Sequence, residues 1–132
     1  EQLMARSEQA ASGLESPTAA LQAMFMAHIA FVSEHPGVPR MLFGVLQKPG
    51  PSPAKQLAQR LLETYAARLQ GLIGRAKAQG EVHPEIDTRA AVMLFIGSIQ
   101  GLVMQSMMAG DILHIKRNAP GVFALYLRGV RV

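Results

Sequence analysis

Apolar residues recur at helical spacing along nearly the whole chain, and no segment alternates apolar with polar positions as a half-buried strand does. The pattern predicts an all-α fold of about six helices. The first, from Gln2 to about Gly13, has a weak apolar face and no cap ahead of it, so the chain is expected to begin in mid-helix at Glu1, as an excised piece would. Ser16 then Pro17 offer an N-cap and a first helical residue for a second helix, striped with Leu21, Met24, Phe25, His28, Phe31 and Val32. His35-Pro36-Gly37 stops it. A short helix starts at Pro39 and ends before the loop KPGPSP, after which Ser52 and Pro53 repeat the cap-and-proline start. The helix from Pro53 to about Gln79 carries Leu57, Leu61, Tyr65, Leu69, Leu72, Ile73 and Ala76 on one side and Arg60, Arg68 and Arg75 on another. Gly80 ends it, and Asp87 or Pro84 opens the fifth helix. After a loop from Gly110 to about Asn118, a last helix runs to the C-terminus.

The fifth helix contains AAVMLFIGSIQGLVMQSMMAG, a stretch from Ala90 to Gly110 without a charge and long enough to cross a bilayer. Its phase argues for packing against helices. Ala90, Leu94, Gly97, Gly101, Met104 and Met108 follow a four-three spacing, the mark of a helix–helix seam. The glycines at its middle let another backbone approach closely, at a cost of about 1 kcal/mol each in helix propensity. Phe95, Ile96, Ile99, Leu102 and Val103 form a second apolar face, so the helix is buried on two sides, more than one small core can provide. A partner surface is implied. The last helix keeps the same spacing at Ala119, Phe123, Tyr126 and Val130, with Val122 and Leu127 beside them. Two such helices from each of two copies predict a four-helix bundle about a two-fold axis, hence a homodimer. Ser98, Gln100, Gln105 and Ser106 interrupt the apolar run, and neither an aromatic belt nor a basic cluster flanks it, so no membrane partner is expected. Gln100 and Gln105 sit beside the seam; they either bond across the dimer, the preferred reading, or turn toward a ligand.

Composition sharpens this picture at a few points. The 132 residues suffice for one domain, expected to be residues 1–132, with an interior of Leu, Ala, Val, Ile and eight Met and no Trp. The absence of cysteine excludes disulfides and thiolate chemistry, and the polar start shows no secretory signal, so a cytoplasmic location is expected. The net charge of +4 is concentrated in the middle third, from Arg40 to Lys77. No aromatic residues or Lys/Arg tract accompany those charges, and a solvated helix face explains them better than nucleic-acid contact. The four histidines lack metal-ligand spacing, and no nucleophile elbow, phosphate loop or embedded carboxylate pair is present. Neither an enzyme, a metal site nor a cofactor is expected.

Two stretches carry a family resemblance: EHPGVPRMLFGVL after a long amphipathic helix, and AKAQGEVHPEIDTRAAVMLFIGSIQGLVMQ, where a Gly-ended helix, an acidic Pro-containing linker and a Gly-centred apolar helix follow in order. In that order they make the chain resemble the C-terminal ligand-binding and dimerisation domain of tetracycline-repressor-like (TetR-family) transcription regulators. The resemblance implies that the last two helices form the dimer bundle, through Ala90, Leu94, Gly97, Gly101, Met104, Gln105, Met108, Phe123, Tyr126, Leu127 and Val130. It implies an effector pocket on the inner faces of the second, fourth and fifth helices. By phase those faces present Met24, His28, Phe31, Tyr65, Leu69, Phe95, Ile99 and Val103, with Met41 and Phe43 from the short helix as lids. His28 is either a neutral core histidine or a ligand contact. The implied function is that of a repressor's sensor: a small apolar effector releases operator DNA, which is bound through an N-terminal helix-turn-helix domain that this sequence does not contain. The competing reading is a helical homodimeric protein-interaction module with a solid interior.

Overall fold

The computed structural model describes residues 2–132; Glu1, at which the chain is expected to begin in mid-helix, lies outside them. Six helices make up the fold: α1 (Gln2–Ala11), α2 (Pro17–Glu34), α3 (Gly37–Gln47), α4 (Pro53–Ala78), α5 (Thr88–Ala109) and α6 (Leu113–Val130). The all-α expectation holds, and among the described residues the one bridge between extended segments joins Val82 to Arg131. Three helices start on side-chain caps, in which the Ser16 and Ser52 hydroxyls and the Asp87 carboxylate accept from Ala19, Lys55 and Ala90 backbone N–H groups at 3.2, 3.1 and 3.2 Å. Asp87, not Pro84, therefore opens α5. The ends of α4 and α5 are set by Gly80 and Gly110, with φ of 76° and 67°, a conformation that other residues adopt only under strain.

Two helices begin earlier than the sequence pattern suggests. α3 starts at Gly37, because Pro39 occupies the first turn, where its missing N–H costs nothing. α6 starts at Leu113 instead of behind Asn118. Its first turn is held by the Asp111 carboxylate, which accepts from the Leu113 N–H at 3.0 Å and pairs with Arg117. Ile115 is thereby buried one turn ahead of Ala119. Pro120 consequently lies inside the helix, on its exposed side, where water can serve the carbonyl that loses its partner.

The buried apolar side chains of α2, α4, α5 and α6 share one core, at whose centre aromatic rings from all four helices meet. Phe25 of α2 meets Phe95 of α5 edge-on, with centroids 5.4 Å apart and planes at 89°, and Phe123 of α6 at 5.1 Å. Phe95 also meets Tyr126 of α6 at 5.7 Å and Tyr65 of α4 at 6.4 Å. The Tyr126 hydroxyl donates to the buried Ala91 carbonyl at 2.8 Å, which satisfies the phenol and fixes α6 against α5.

A second junction ties the chain's far-apart segments. The turn after α4 lies against the end of α6, with His83 N–H donating to Val130 O and Val132 N–H to Glu81 O, each at 3.1 Å. The Glu81 carboxylate reaches the start of α2, accepting from Thr18 N–H at 3.0 Å, Thr18 Oγ1 at 2.7 Å and Ser16 Oγ at 2.9 Å. These donors hold its carboxyl below the usual carboxylate range.

Two outcomes follow from these junctions. Phe95→Ala should cost about 3–5 kcal/mol in urea unfolding, since it leaves a cavity where four helices meet. Glu81 gives up its proton more readily when folded than when unfolded, so its contribution is full above the ordinary carboxylate pKa and is lost as pH falls through the lowered one. Glu81→Gln should lower the melting temperature at neutral pH and show a shallower loss of stability on acidification.

Candidate functional site

The core does not fill the bundle along its whole length. At the end formed by the second half of α2, the first half of α4 and the middle of α5, the structure holds a cavity of about 240 Å³. α3 covers its open side, with Val38, Leu42, Phe43 and Leu46 turned toward the space and none of its own residues fully buried. Leu3 and Met4 of α1 close another side. The cavity thus touches five of the six helices, and no Asp, Glu, Lys or Arg lines it.

Polar groups on its wall are few. His28 Nδ1 and the Tyr65 hydroxyl are hydrogen-bonded at 3.0 Å, and Gln100 stands across from them on α5. Burial pushes the His28 pKa from 6.5 down to about 4, so the ring is neutral at physiological pH. Burial also drives the Tyr65 phenol well above its usual range, against a slight opposing influence of Ser7. Ser7, on α1, is fully buried beside this pair, and its hydroxyl forms no well-shaped hydrogen bond of its own. α1 is otherwise held by Leu3 and Met4, the forked Arg6–Glu34 pair at 3.0–3.3 Å, and an Arg68–Glu8 pair. Exposed ion pairs of this kind contribute at most about 1 kcal/mol.

Of the residues expected to line a pocket, the structure brings His28, Phe31, Phe43, Tyr65, Ile99 and Val103 together on the cavity wall. Met24, Leu69 and Phe95 are instead packed in the core, each one helical turn from a lining residue on the same helix. Met41 is 63% exposed and faces solvent; the Val38–Leu42–Leu46 side of α3 lines the cavity instead, while staying 37–49% exposed at its open rim. Sequence reasoning missed that side, together with Leu3 and Met4, Ile96, and Ala58, Leu61 and Leu62 of α4. Leu61 stood in the apolar stripe of its helix and gave the available signal. Gln100 stands at the exposed rim of the cavity.

The seam residues of α5 lie on the opposite, outer side. Leu94, Met104 and Met108 are 57%, 44% and 82% exposed, while Phe95, Ile99 and Val103 are in the core. Ala90, Gly97 and Gln105 are likewise exposed and Gly101 is half-buried. A Cβ added at Gly97 or Gly101 would meet nothing within 4 Å, so the chain's own packing gives no reason for either glycine. Between α5 and α6 runs an open groove of about 430 Å³ lined by Gly97, Gly101, Gln105, His114, Asn118 and Val122. On α6 the expectation needs correction: Phe123, Tyr126 and Val130 point into the chain's own core, and Leu127 is half-buried. A helix with one buried side and a helix in a coiled coil show the same four-three spacing. The side of α6 that faces out beside the α5 seam carries Asn118, Gly121, Val122 and Leu125.

α5 is long and apolar enough to cross a membrane by length and composition, but one side of it supplies Val92, Phe95, Ile99 and Leu102 to the core shared with α2, α4 and α6. Among the described residues no group of His, Cys, Asp and Glu is placed to hold a metal ion.

The unit is all-helical, with an apolar cavity at one end and an open glycine-centred groove between its last two helices. A sequence profile described as "Tetracyclin repressor-like, C-terminal domain" matches residues 43–122. The chain belongs to this family of transcription-regulator domains, and not to an enzyme family. Two solved structures share the fold. A TetR transcriptional regulator from Chloroflexus aurantiacus J-10-FL superposes with a TM-score of 0.82 at 15% identity, covering 99% of this chain and 68% of its own. A TetR family transcriptional regulator from the same organism gives a TM-score of 0.60 at 18% identity, covering 99% and 70%. No curated protein matches the sequence.

The buried histidine yields a pH dependence. Because the fold disfavours the imidazolium, the unfolded chain takes up the proton first, so stability is full above about pH 6.5 and falls as pH drops toward 4. The loss should reach about 2–3 kcal/mol by pH 4. Urea unfolding at stepped pH should show this slope in the wild-type chain, and His28→Phe should flatten it.

Proposed function

We propose that residues 1–132 form the effector-sensing and dimerisation domain of a TetR-like transcriptional repressor, working in the cytoplasm as a homodimer. A small, mainly apolar effector occupies the cavity, and operator DNA is bound by a domain joined on the N-terminal side of α1. The observation that carries this reading is the composition of the cavity wall: Leu3 and Met4 belong to α1, while Ile96, Ile99 and Val103 belong to α5. One occupant therefore touches both the helix that leads toward the DNA-binding side and the helix that bears the outer face.

The mechanism is a shift between two arrangements of α1. An occupant that packs better against one of them favours it by its difference in affinity for the two. α1 is docked along α2, with Ser7 buried and Leu3, Met4 and Ala11 against the core, so an occupant that displaces Leu3 and Met4 acts on how α1 sits on α2. Moving α1 in both subunits changes the spacing of two DNA-binding heads, which must match successive major grooves about 34 Å apart. Release from the operator follows. The cavity favours this reading over a protein-interaction module with a filled interior.

The dimer forms on the outer face, with Leu94, Gly97, Gly101, Met104, Gln105 and Met108 of α5 and the outward side of α6 packed against their copies. Gly97 and Gly101 then have a purpose, since they let the α5 backbones approach. Gly101→Ala should raise the unfolding stability of the isolated subunit by about 1 kcal/mol through helix propensity, yet weaken the dimer. Sedimentation equilibrium combined with urea unfolding at low concentration reads both effects. A wild-type monomer, or a variant that dimerises as well as the parent, would remove the interface. Native mass spectrometry of the dimer purified from its host should show a small organic mass retained per subunit, and a cavity-filling Ala58→Phe variant should lose it.

A further inference from the structure

The wall of the cavity carries information about its occupant beyond apolarity. A cavity of roughly 150 Å³ takes up benzene, so 240 Å³ corresponds to about ten non-hydrogen atoms. The lining has no charged side chain to pair with a charged ligand, and at its deep end, among the buried Phe31, Tyr65 and Ile99, the surrounding rings and aliphatic groups would leave such a charge without compensation. A fully apolar occupant would leave a different problem. His28 spends Nδ1 on the Tyr65 hydroxyl, while its other ring nitrogen has no hydrogen-bond partner among the described residues and is not sealed off from the cavity. Gln100, on α5, is exposed and stands at the rim of the same space. A neutral hydrogen-bonding group held in place on an otherwise apolar wall, as His28 is by Tyr65, is the means by which a pocket fixes the orientation of a ligand with one polar atom.

We infer that the occupant is an uncharged, flat or compact molecule of about ten non-hydrogen atoms with a single hydroxyl or carbonyl group, and that His28 Nε2, supported by Tyr65, is the residue that reads that group. The phenol and small-ketone class fits, whereas carboxylates and amines of the same size do not. The inference rests on the sensor reading given above. Tyr65 acts as a positioning residue: its hydrogen bond holds the imidazole in one orientation, and its own surroundings include the buried hydroxyl of Ser7 on α1. The ring that meets the ligand is therefore one residue removed from the helix whose movement the sensor requires.

The test uses the dimeric chain with four probes of one shape: naphthalene, 2-naphthol, 2-naphthoate and 2-naphthylmethylammonium, with binding measured by calorimetry near pH 7. Naphthalene and 2-naphthol should both bind, and the two ions at least about a hundredfold more weakly than 2-naphthol. His28→Phe, which keeps a ring in place, should weaken 2-naphthol about tenfold and leave naphthalene unchanged. In the wild-type chain, 2-naphthol should move the NMR resonances of the His28 ring nitrogens and naphthalene should not; this readout stands even if the variant does not fold. Ions binding as tightly as 2-naphthol would overturn the uncharged class. Still histidine resonances, or a variant that weakens both neutral probes equally, would overturn the role of His28. The sensor reading survives both results. Failure of all four probes to bind the folded wild-type dimer would overturn the inference and the sensor reading together.

Discussion

The edge-on contact between Phe25 and Phe95 is the interaction on which the rest of the molecule depends. Through it, and through the adjoining rings of Tyr65, Phe123 and Tyr126, four helices acquire fixed positions around one point. Aromatic pairs at such distances contribute roughly 0.5–1.5 kcal/mol beyond the area they bury. The chain has only seven Phe and Tyr residues in all; five meet in this cluster, and the other two, Phe31 and Phe43, stand on the cavity wall. Helices fixed at one end by rigid rings can diverge at the other. The Glu81 junction strengthens the same end, binding the start of α2, the turn after α4 and the end of α6 to one another.

That unequal distribution of packing suits the proposed sensor role. A solid core answers a ligand only by breaking, because close-packed interiors do not deform smoothly. Here the filled end keeps the helix axes in place while the hollow end is closed by α3, the helix least committed to the core, and by the start of α1, which is docked along α2. α3 buries no residue completely, and α1 buries only Ser7. Elements with few buried contacts are the ones whose movement costs least. The cavity is thus bounded by a closely packed wall of α2, α4 and α5 and, on its open side, by α3 and the start of α1.

The two sides of α5 serve different purposes. Its inner side places Phe95 in the aromatic cluster and Ile99 on the cavity, while the outer side leaves Leu94, Met104 and Met108 in solvent around two glycines with open space above them. Exposed apolar side chains beside helix-destabilising glycines are costly for a chain on its own, and they make sense as a surface meant to be covered. A ligand at Ile99 and a second subunit at Gly97 would lie on opposite sides of a single helix.

How much of this was legible beforehand depends on what periodicity can and cannot encode. The helix count, the caps at Ser16, Ser52 and Asp87, and the division of α5 into an inner and an outer side are local properties, fixed by side chains a turn apart, and the sequence by itself determined them. α6 resisted because the spacing of Phe123, Tyr126 and Val130 is the same for a side facing its own core as for one facing a partner; only packing against Phe25 and Phe95 decides between them. The cavity resisted for a related reason. Met24, Leu69 and Phe95 share helix faces with His28, Tyr65 and Ile99, and periodicity gives the direction of a side chain but not its depth along the bundle. Where the core stops and the hollow begins was decided by tertiary structure, since it depends on how far the helices separate beyond the aromatic cluster and on which side of α3 closes the gap.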